Sequence, residues 1–175
     1  MGVDAKALQD QAKELYQTGE MNQAIAIFEQ ARAAYVEQGN QAGAASATND
    51  LGVVYYLTGN RDQAMQLLRD ALAAYETLGD VAGQAKATGN LAQLMSRAQD
   101  YENAEKNYQR AAELFHQLGD KRLEYDTYRA LSQMQLQRGR WLEALNAFDR
   151  ALAAKGGWKL LRWFFQIPLR LAGVR

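Results

Sequence analysis

The sequence predicts an all-α protein: four stacked helix-turn-helix units followed by a C-terminal amphipathic helix. Three observations carry this reading. First, the chain repeats itself every 40 residues. Gly19, Gly59 and Gly139 align, as do Gly39, Gly79 and Gly119, and Ala24, Ala64, Ala104 and Ala144. A fixed period of roughly 20–50 residues marks stacked supersecondary units, each covering the apolar face of its neighbour. Second, the composition suits helices. The chain has one Pro, no Cys and little Val or Ile, and is rich in Ala, Leu, Gln, Glu and Arg. Third, the rhythm stops at Gly156-Gly157, and the tail beyond it has a different character. Residues 1–150 carry 15 Lys/Arg against 20 Asp/Glu, a net charge of −5, whereas residues 151–175 carry five basic residues and no acid.

The period divides the chain into copies at about 5–44, 45–84, 85–124 and 125–155, a Gly-Gly hinge at 156–157, and a tail at 158–175. In the second copy, Ala47, Leu51, Val54, Tyr55 and Leu57 recur at helical spacing and predict a first helix. Gly59-Asn60 stops it, since both residue types tolerate the left-handed backbone of helix ends. Asp62 is then placed to cap a second helix by accepting backbone N–H bonds. That helix carries Ala64, Leu67, Leu68, Ala71, Leu72 and Tyr75 on one side. Leu78-Gly79-Asp80 closes the unit, and Leu118-Gly119-Asp120 closes the next. The alanines at 24, 64, 104 and 144 are expected to let paired helices approach closely. Phe28, Leu68, Tyr108 and Phe148, four residues later, are expected to fill the space beyond.

The run Leu51-Gly52-x-x-Tyr55, then Gly59, Ala64, Leu68 and Ala71, resembles the tetratricopeptide repeat. The resemblance covers about residues 5–155 as four copies. The first and fourth copies depart from the pattern in their first helices, where Gln11-Ala12 and Leu131-Ser132 replace Leu-Gly, and Leu15 and Gln135 replace Tyr55. The period exceeds the usual one of about 34 residues. It is similar to the extended variety found in kinesin light chains, spindle-orientation adaptors and bacterial signalling proteins. The resemblance implies a right-handed superhelical array and a non-catalytic scaffold or adaptor.

It also implies that the first helices line a concave surface that holds a peptide or helix of a partner protein. Carried onto this chain, that surface includes Lys6, Gln9, Lys13 and Tyr16 in the first copy, then Asn49, Val53 and Tyr56. The third copy adds Lys86, Asn90 and Gln93, and the fourth Asp126, Arg129 and Gln133. Amides and tyrosines suit backbone hydrogen bonds and apolar contacts with a bound peptide. One use of the family is a clamp for a C-terminal carboxylate. Here Lys86 fits, but Gln9 stands where a Lys is expected and Asp50 where an Asn is expected. Asp50 repels a carboxylate, so chaperone-tail binding is not expected.

Catalytic chemistry has little to stand on. His116 is the only His, near the end of a predicted helix, and no Cys or second His exists to build a zinc site. The glycines fall at helix ends rather than in a phosphate loop. Ser46, Ser96 and Ser132 have no His near in sequence. We therefore expect no enzyme activity, no metal and no cofactor. An acidic repeat body also argues against nucleic-acid binding.

The tail reads Trp158-Lys-Leu-Leu-Arg-Trp-Phe-Phe-Gln-Ile-Pro-Leu-Arg-Leu. On a helix of about 100° per residue, Lys159, Arg162, Gln166 and Arg170 share a sector of roughly 80°. The rest is apolar, and Pro168 is expected to kink or end the helix near Ile167. Such a helix fits the plane of an anionic membrane surface, with Trp158, Leu161, Arg162, Trp163, Phe164, Phe165 and Ile167 in contact with lipid or partner. It is too short and too charged to span a bilayer. Two rival readings stand beside this one. The tail caps the last repeat, or it docks in its own or a sister chain's acidic groove as a regulatory element displaced by a ligand, which includes a homodimer. The N-terminus has no apolar run, so no secretory signal is seen, and the expected location is cytoplasmic, peripheral at a membrane.

Overall fold

A computed structural model describes residues 4–156. Those residues form eight α-helices in four antiparallel pairs: α1 (Ala5–Thr18) with α2 (Met21–Glu37), α3 (Gln41–Leu57) with α4 (Arg61–Leu78), α5 (Val81–Arg97) with α6 (Tyr101–Gln117), and α7 (Lys121–Gln137) with α8 (Trp141–Ala154). Each helix packs chiefly on its chain neighbours. The first helices of successive pairs also touch one another, α1 on α3, α3 on α5 and α5 on α7. This contact sets the first helices side by side along one surface.

The second, third and fourth units begin a turn earlier than the frame read from the period, while the first begins at Ala5 in both. The second starts at Gln41 rather than Ala45, and the fourth at Lys121 rather than 125. The cause is the cap. Asp4, Asn40, Asp80 and Asp120 each open a first helix, and their side chains accept from the backbone N–H of Ala7, Gly43, Gly83 and Leu123 at 2.9–3.0 Å. The second helices have no such cap. Glu20, Asn60, Asp100 and Arg140 occupy those positions without a side-chain bond to the backbone. Asp62, expected as a cap, sits inside the first turn of α4, where its charge faces the positive end of the helix dipole.

Left-handed turns separate the helices. Gly59 has φ +88°, while Asn60 at φ −81° is already the residue before α4. The third copy puts Gln99 where the others have Gly19, Gly59 and Gly139, and its backbone takes φ +64° all the same. The turn keeps the helix-end bonds of the other copies, Gln99 N–H to the Ser96 carbonyl at 3.2 Å and Asp100 N–H to the Met95 carbonyl at 2.9 Å, against a steric cost of about 1–2 kcal/mol.

Small residues govern the helix spacing from both sides. Ala24, Ala64, Ala104 and Ala144 are buried. Opposite them, a Cβ on Gly52 would lie 2.9 Å from Leu68 Cγ and 3.4 Å from the Ala64 carbonyl oxygen. Ala12 and Ala92 hold the same place in their copies, both fully buried. In the fourth copy it is Ser132, which donates to the Ala144 carbonyl at 2.8 Å. Between units, the rings of Tyr35 and Tyr75 occupy the space that a side chain on Gly43 and Gly83 would take. Phe28, Leu68 and Tyr108 are buried as expected, but Phe148 remains 39 % exposed. Leu57 at the end of α3 is also exposed.

The caps and the buried tyrosines each set a stability test. Asp80→Ala should cost about 1 kcal/mol in urea unfolding, whereas Asn60→Ala should change stability by only a few tenths, because only the first makes a cap bond. Burial pushes the Tyr75 and Tyr108 hydroxyls up to about 12. Below pH ~10 both residues are protonated, folded or not, and they add no pH dependence. Between about pH 10 and 12 the unfolded chain releases protons that the folded chain retains, so stability falls as pH rises. Circular dichroism across that window should show the loss, with a shallower slope for Tyr108→Phe.

Candidate functional site

The side-by-side first helices enclose an open groove of about 660 Å³. Eight of the thirteen residues expected at the concave surface line it: Lys13, Tyr16, Asn49, Val53, Lys86, Asn90, Gln93 and Asp126. They come from all four first helices at i, i+3 or i+4 spacing, which keeps them on one face. The floor includes core side chains of Phe28, Val54, Tyr108 and Phe115.

The other five lie elsewhere. Lys6 is exposed and bonds Asp10 at 2.8 Å along α1. Gln9 is buried and works as a staple. Its amide donates to Ser46 Oγ at 3.0 Å and to Asp50 Oδ2 at 2.8 Å, and its carbonyl accepts from the Tyr35 hydroxyl at 3.0 Å. Tyr56 belongs to the core, with Arg97 stacked 5.1 Å from its ring centre. Burial raises the Tyr56 pKa, and its hydroxyl has no partner among the described residues. Arg129 reaches Asp126 at 3.8 Å from outside the lining, and Gln133 is exposed. The lipid or partner residues expected at Trp158, Leu161, Arg162, Trp163, Phe164, Phe165 and Ile167 lie outside the described residues.

The groove also holds Gln17, Asp50, Arg122 and Thr127. Arg122 was missed because the period frame starts the fourth copy at 125 and cuts off the first turn of α7. The row Arg122, Asp126, Ala130 at i+4 spacing was the available signal.

Charges in the lining are three cations, Lys13, Lys86 and Arg122, against two acids, Asp50 and Asp126. Both acids are engaged. Asp50 accepts from Gln9 and stands 3.6 Å from Lys13, and Asp126 faces Arg129. Lys86 and Arg122 have no ion-pair partner among the described residues. The acidic groove expected from the body's net charge is therefore not what the lining presents. Asn90 donates to Asn49 at 3.1 Å, so an amide pair bridges α3 and α5 across the floor. His116 lies away from the groove, with Nδ1 3.2 Å from both Glu124 carboxylate oxygens.

This arrangement of paired helices, capped first helices and a groove along their shared face has known counterparts. The tetratricopeptide-repeat family model matches residues 5–77 and again 83–155. The chain belongs to the tetratricopeptide-repeat family. Among solved structures it is similar to BtubC (BKLC) from P. vanneervenii, at 20% identity and TM-score 0.75, covering 87% of this chain and 63% of that one. It is also similar to aspartyl phosphate phosphatase F from Bacillus subtilis, at 14% identity and TM-score 0.81, covering 87% of this chain and 40% of that one. A third is a kinesin-light-chain-type protein of nearly identical TPR-like repeats from Podosopora anserina, at 14% identity and TM-score 0.74, covering 89% and 78%. These likenesses show a shared fold. The repeat chain thus spans less than two thirds of the first two structures. No curated protein matches it by sequence.

Two buried glutamines set a test of the polar interior. Gln9 satisfies its amide, whereas both side-chain polar atoms of Gln135 are buried without a partner among the described residues. Gln9→Leu should destabilise by about 1–3 kcal/mol, because the Tyr35 hydroxyl and Asp50 lose a partner. Gln135→Met should instead stabilise by about 1 kcal/mol, and denaturant midpoints of the two variants should move in opposite directions.

Proposed function

We propose that this protein is a non-catalytic scaffold that holds a segment of a partner protein in the groove between its first helices. The observation that carries this is the lining. It combines an amide pair, Asn49 and Asn90, with Tyr16, Gln93 and the apolar Val53, on three first helices at once. Amides there offer hydrogen bonds to a peptide backbone, and the apolar floor offers burial to its side chains. Likeness to a phosphatase at 14% identity argues for the fold and not for its chemistry. The lining's hydroxyls are Tyr16, Tyr108 and Thr127, and the Thr127 hydroxyl is engaged within its own helix, donating to the Leu123 carbonyl at 2.7 Å.

The second part of the proposal is a peripheral membrane tether on the cytoplasmic side, made by residues 158–171. Its support is the sequence itself: a broad apolar surface with Lys159, Arg162 and Arg170 in one sector. Among the described residues no helix is long and apolar enough to cross a membrane. The alternative in which the tail occupies the groove loses its electrostatic motive, since both groove acids are already paired.

Selection of ligands from a random peptide library tests the groove. Bound peptides should lose about tenfold in affinity to Asn90→Ala and keep it in Ala33→Ser on the exposed face of α2. Equal binding by both variants rules the groove out. Sedimentation with phosphatidylglycerol vesicles tests the tether: the full chain should pellet, and a chain ending at residue 155 should stay in solution.

A further inference from the structure

Ten of the eleven described glycines answer to the fold. Seven take a left-handed backbone at turns, and Gly43, Gly52 and Gly83 leave room for Tyr35, Leu68 and Tyr75. Gly89 does neither. It lies in the middle of α5, and a Cβ there would meet only the Ala111 Cβ, at 3.8 Å. That is ordinary van der Waals contact, so alanine fits. Glycine inside a helix is less stable than alanine, because it loses more backbone freedom on folding. The fold alone therefore favours alanine at 89.

What Gly89 does face is the groove. One period away, the same place holds Gln9, Asn49 and Arg129, all polar side chains. Only the third copy leaves the helix backbone bare there. Lys86 and Gln93 flank it about one turn to either side on the same face. Asn90, next to it, gives one end of its amide to Asn49, and the other end bonds no described residue. Lys86 and Arg122 are exposed, line the same groove and have no ion-pair partner among the described residues. Asp50 accepts from Gln9 and stands near Lys13, and Asp126 faces Arg129. The charge left to meet a ligand in the third and fourth copies is therefore positive.

We propose that Gly89 seats the main chain of a bound segment, and that Lys86 and Arg122 recognise an aspartate or glutamate on that segment. The occupant is thus an acidic peptide segment of a partner protein. This recognition rests on the groove being the binding surface. Without a Cβ at 89, the segment's backbone can lie against α5 itself, where Asn90 offers its peptide groups a hydrogen bond. Ammonium and guanidinium groups both favour a carboxylate, the guanidinium through two parallel N–H bonds. A cationic segment would meet the same two charges with no unpaired acid to answer them. The acid is a side chain and not a chain end, since Asp50 stands where a terminal carboxylate would be clamped.

Peptides with amidated C-termini, selected on the full chain from a random library, test this. The selected sequences should share an Asp or Glu at one position, and its change to Asn or Gln should weaken binding about tenfold. That loss should vanish in a Lys86→Gln, Arg122→Gln double variant, which alters two exposed side chains and no core packing. Gly89→Ala should raise the urea midpoint while weakening the same peptides about tenfold. A glycine kept for packing gives the opposite sign in stability. Peptides that are lost on Asn90→Ala but share no acid, or that ignore the double variant or Gly89→Ala, overturn the proposal and leave the groove standing as the binding surface. A lowered midpoint for Gly89→Ala does the same. Selection that succeeds only with free C-terminal carboxylates overturns it in favour of chain-end capture. Peptides indifferent to Asn90→Ala remove the groove as the binding surface, and the acid site with it.

Discussion

Close approach between the two helices of a pair is the constraint on which the rest of this structure depends. It is produced by absent side chains. Ala64 faces Gly52, and Leu68 comes so near that Gly52 has no room for a Cβ. The same place is Ala12, Ala92 and Ser132 in the other copies, and the facing place is Ala24, Ala104 and Ala144. With the backbones this close, large residues such as Phe28 and Leu68 reach past their own pair and pack against the next. The core is consequently a ribbon of clusters handed from unit to unit, as expected for a stack in which each repeat contacts only its neighbours.

That ribbon positions the groove. Because each pair packs on the next at a similar offset, the first helices present the same face repeatedly, and side chains from four separate helices converge on one surface. The polar groups there are organised before any ligand arrives. Gln9 fixes Asp50, Asn49 bonds Asn90, and Arg129 faces Asp126. Lys86 and Arg122 remain available. Preorganised polar groups over an apolar floor lower the ordering cost of holding a flexible segment.

Much of this was legible from the chain alone. The 40-residue alignment of glycines and alanines specified helix pairs and their number, because those residue types answer to steric demands that the sequence states directly. The concave residues nearest the middle of the array, such as Asn49, Lys86 and Asn90, were legible for the same reason. The failures have a shared cause. Caps are set by which of several Asp and Asn residues the backbone selects, so Asp62 was expected to cap α4, which has no side-chain cap bond, while Asn40 and Asp80 cap the first helices, and Arg122 fell outside the frame. Gln9 and Tyr56 sit at groove-like spacing, yet neighbours from other units bury them, and helical period cannot register a neighbour one unit away. Phe148 failed in the opposite sense: its pattern matches buried residues, but no described helix comes after α8 to cover it.

The amide contact between Asn49 and Asn90 joins residues 41 positions apart, as does Gln9 to Asp50. These bonds run between first helices, where the units touch least, while the bulk of the packing lies between consecutive helices. The groove floor therefore acts as the inner edge of a spring. Its bonds set how tightly successive units lean toward one another. A change made at these residues to alter what the groove accepts would also alter the pitch of the stack, so selectivity and curvature in this protein are written in the same few side chains.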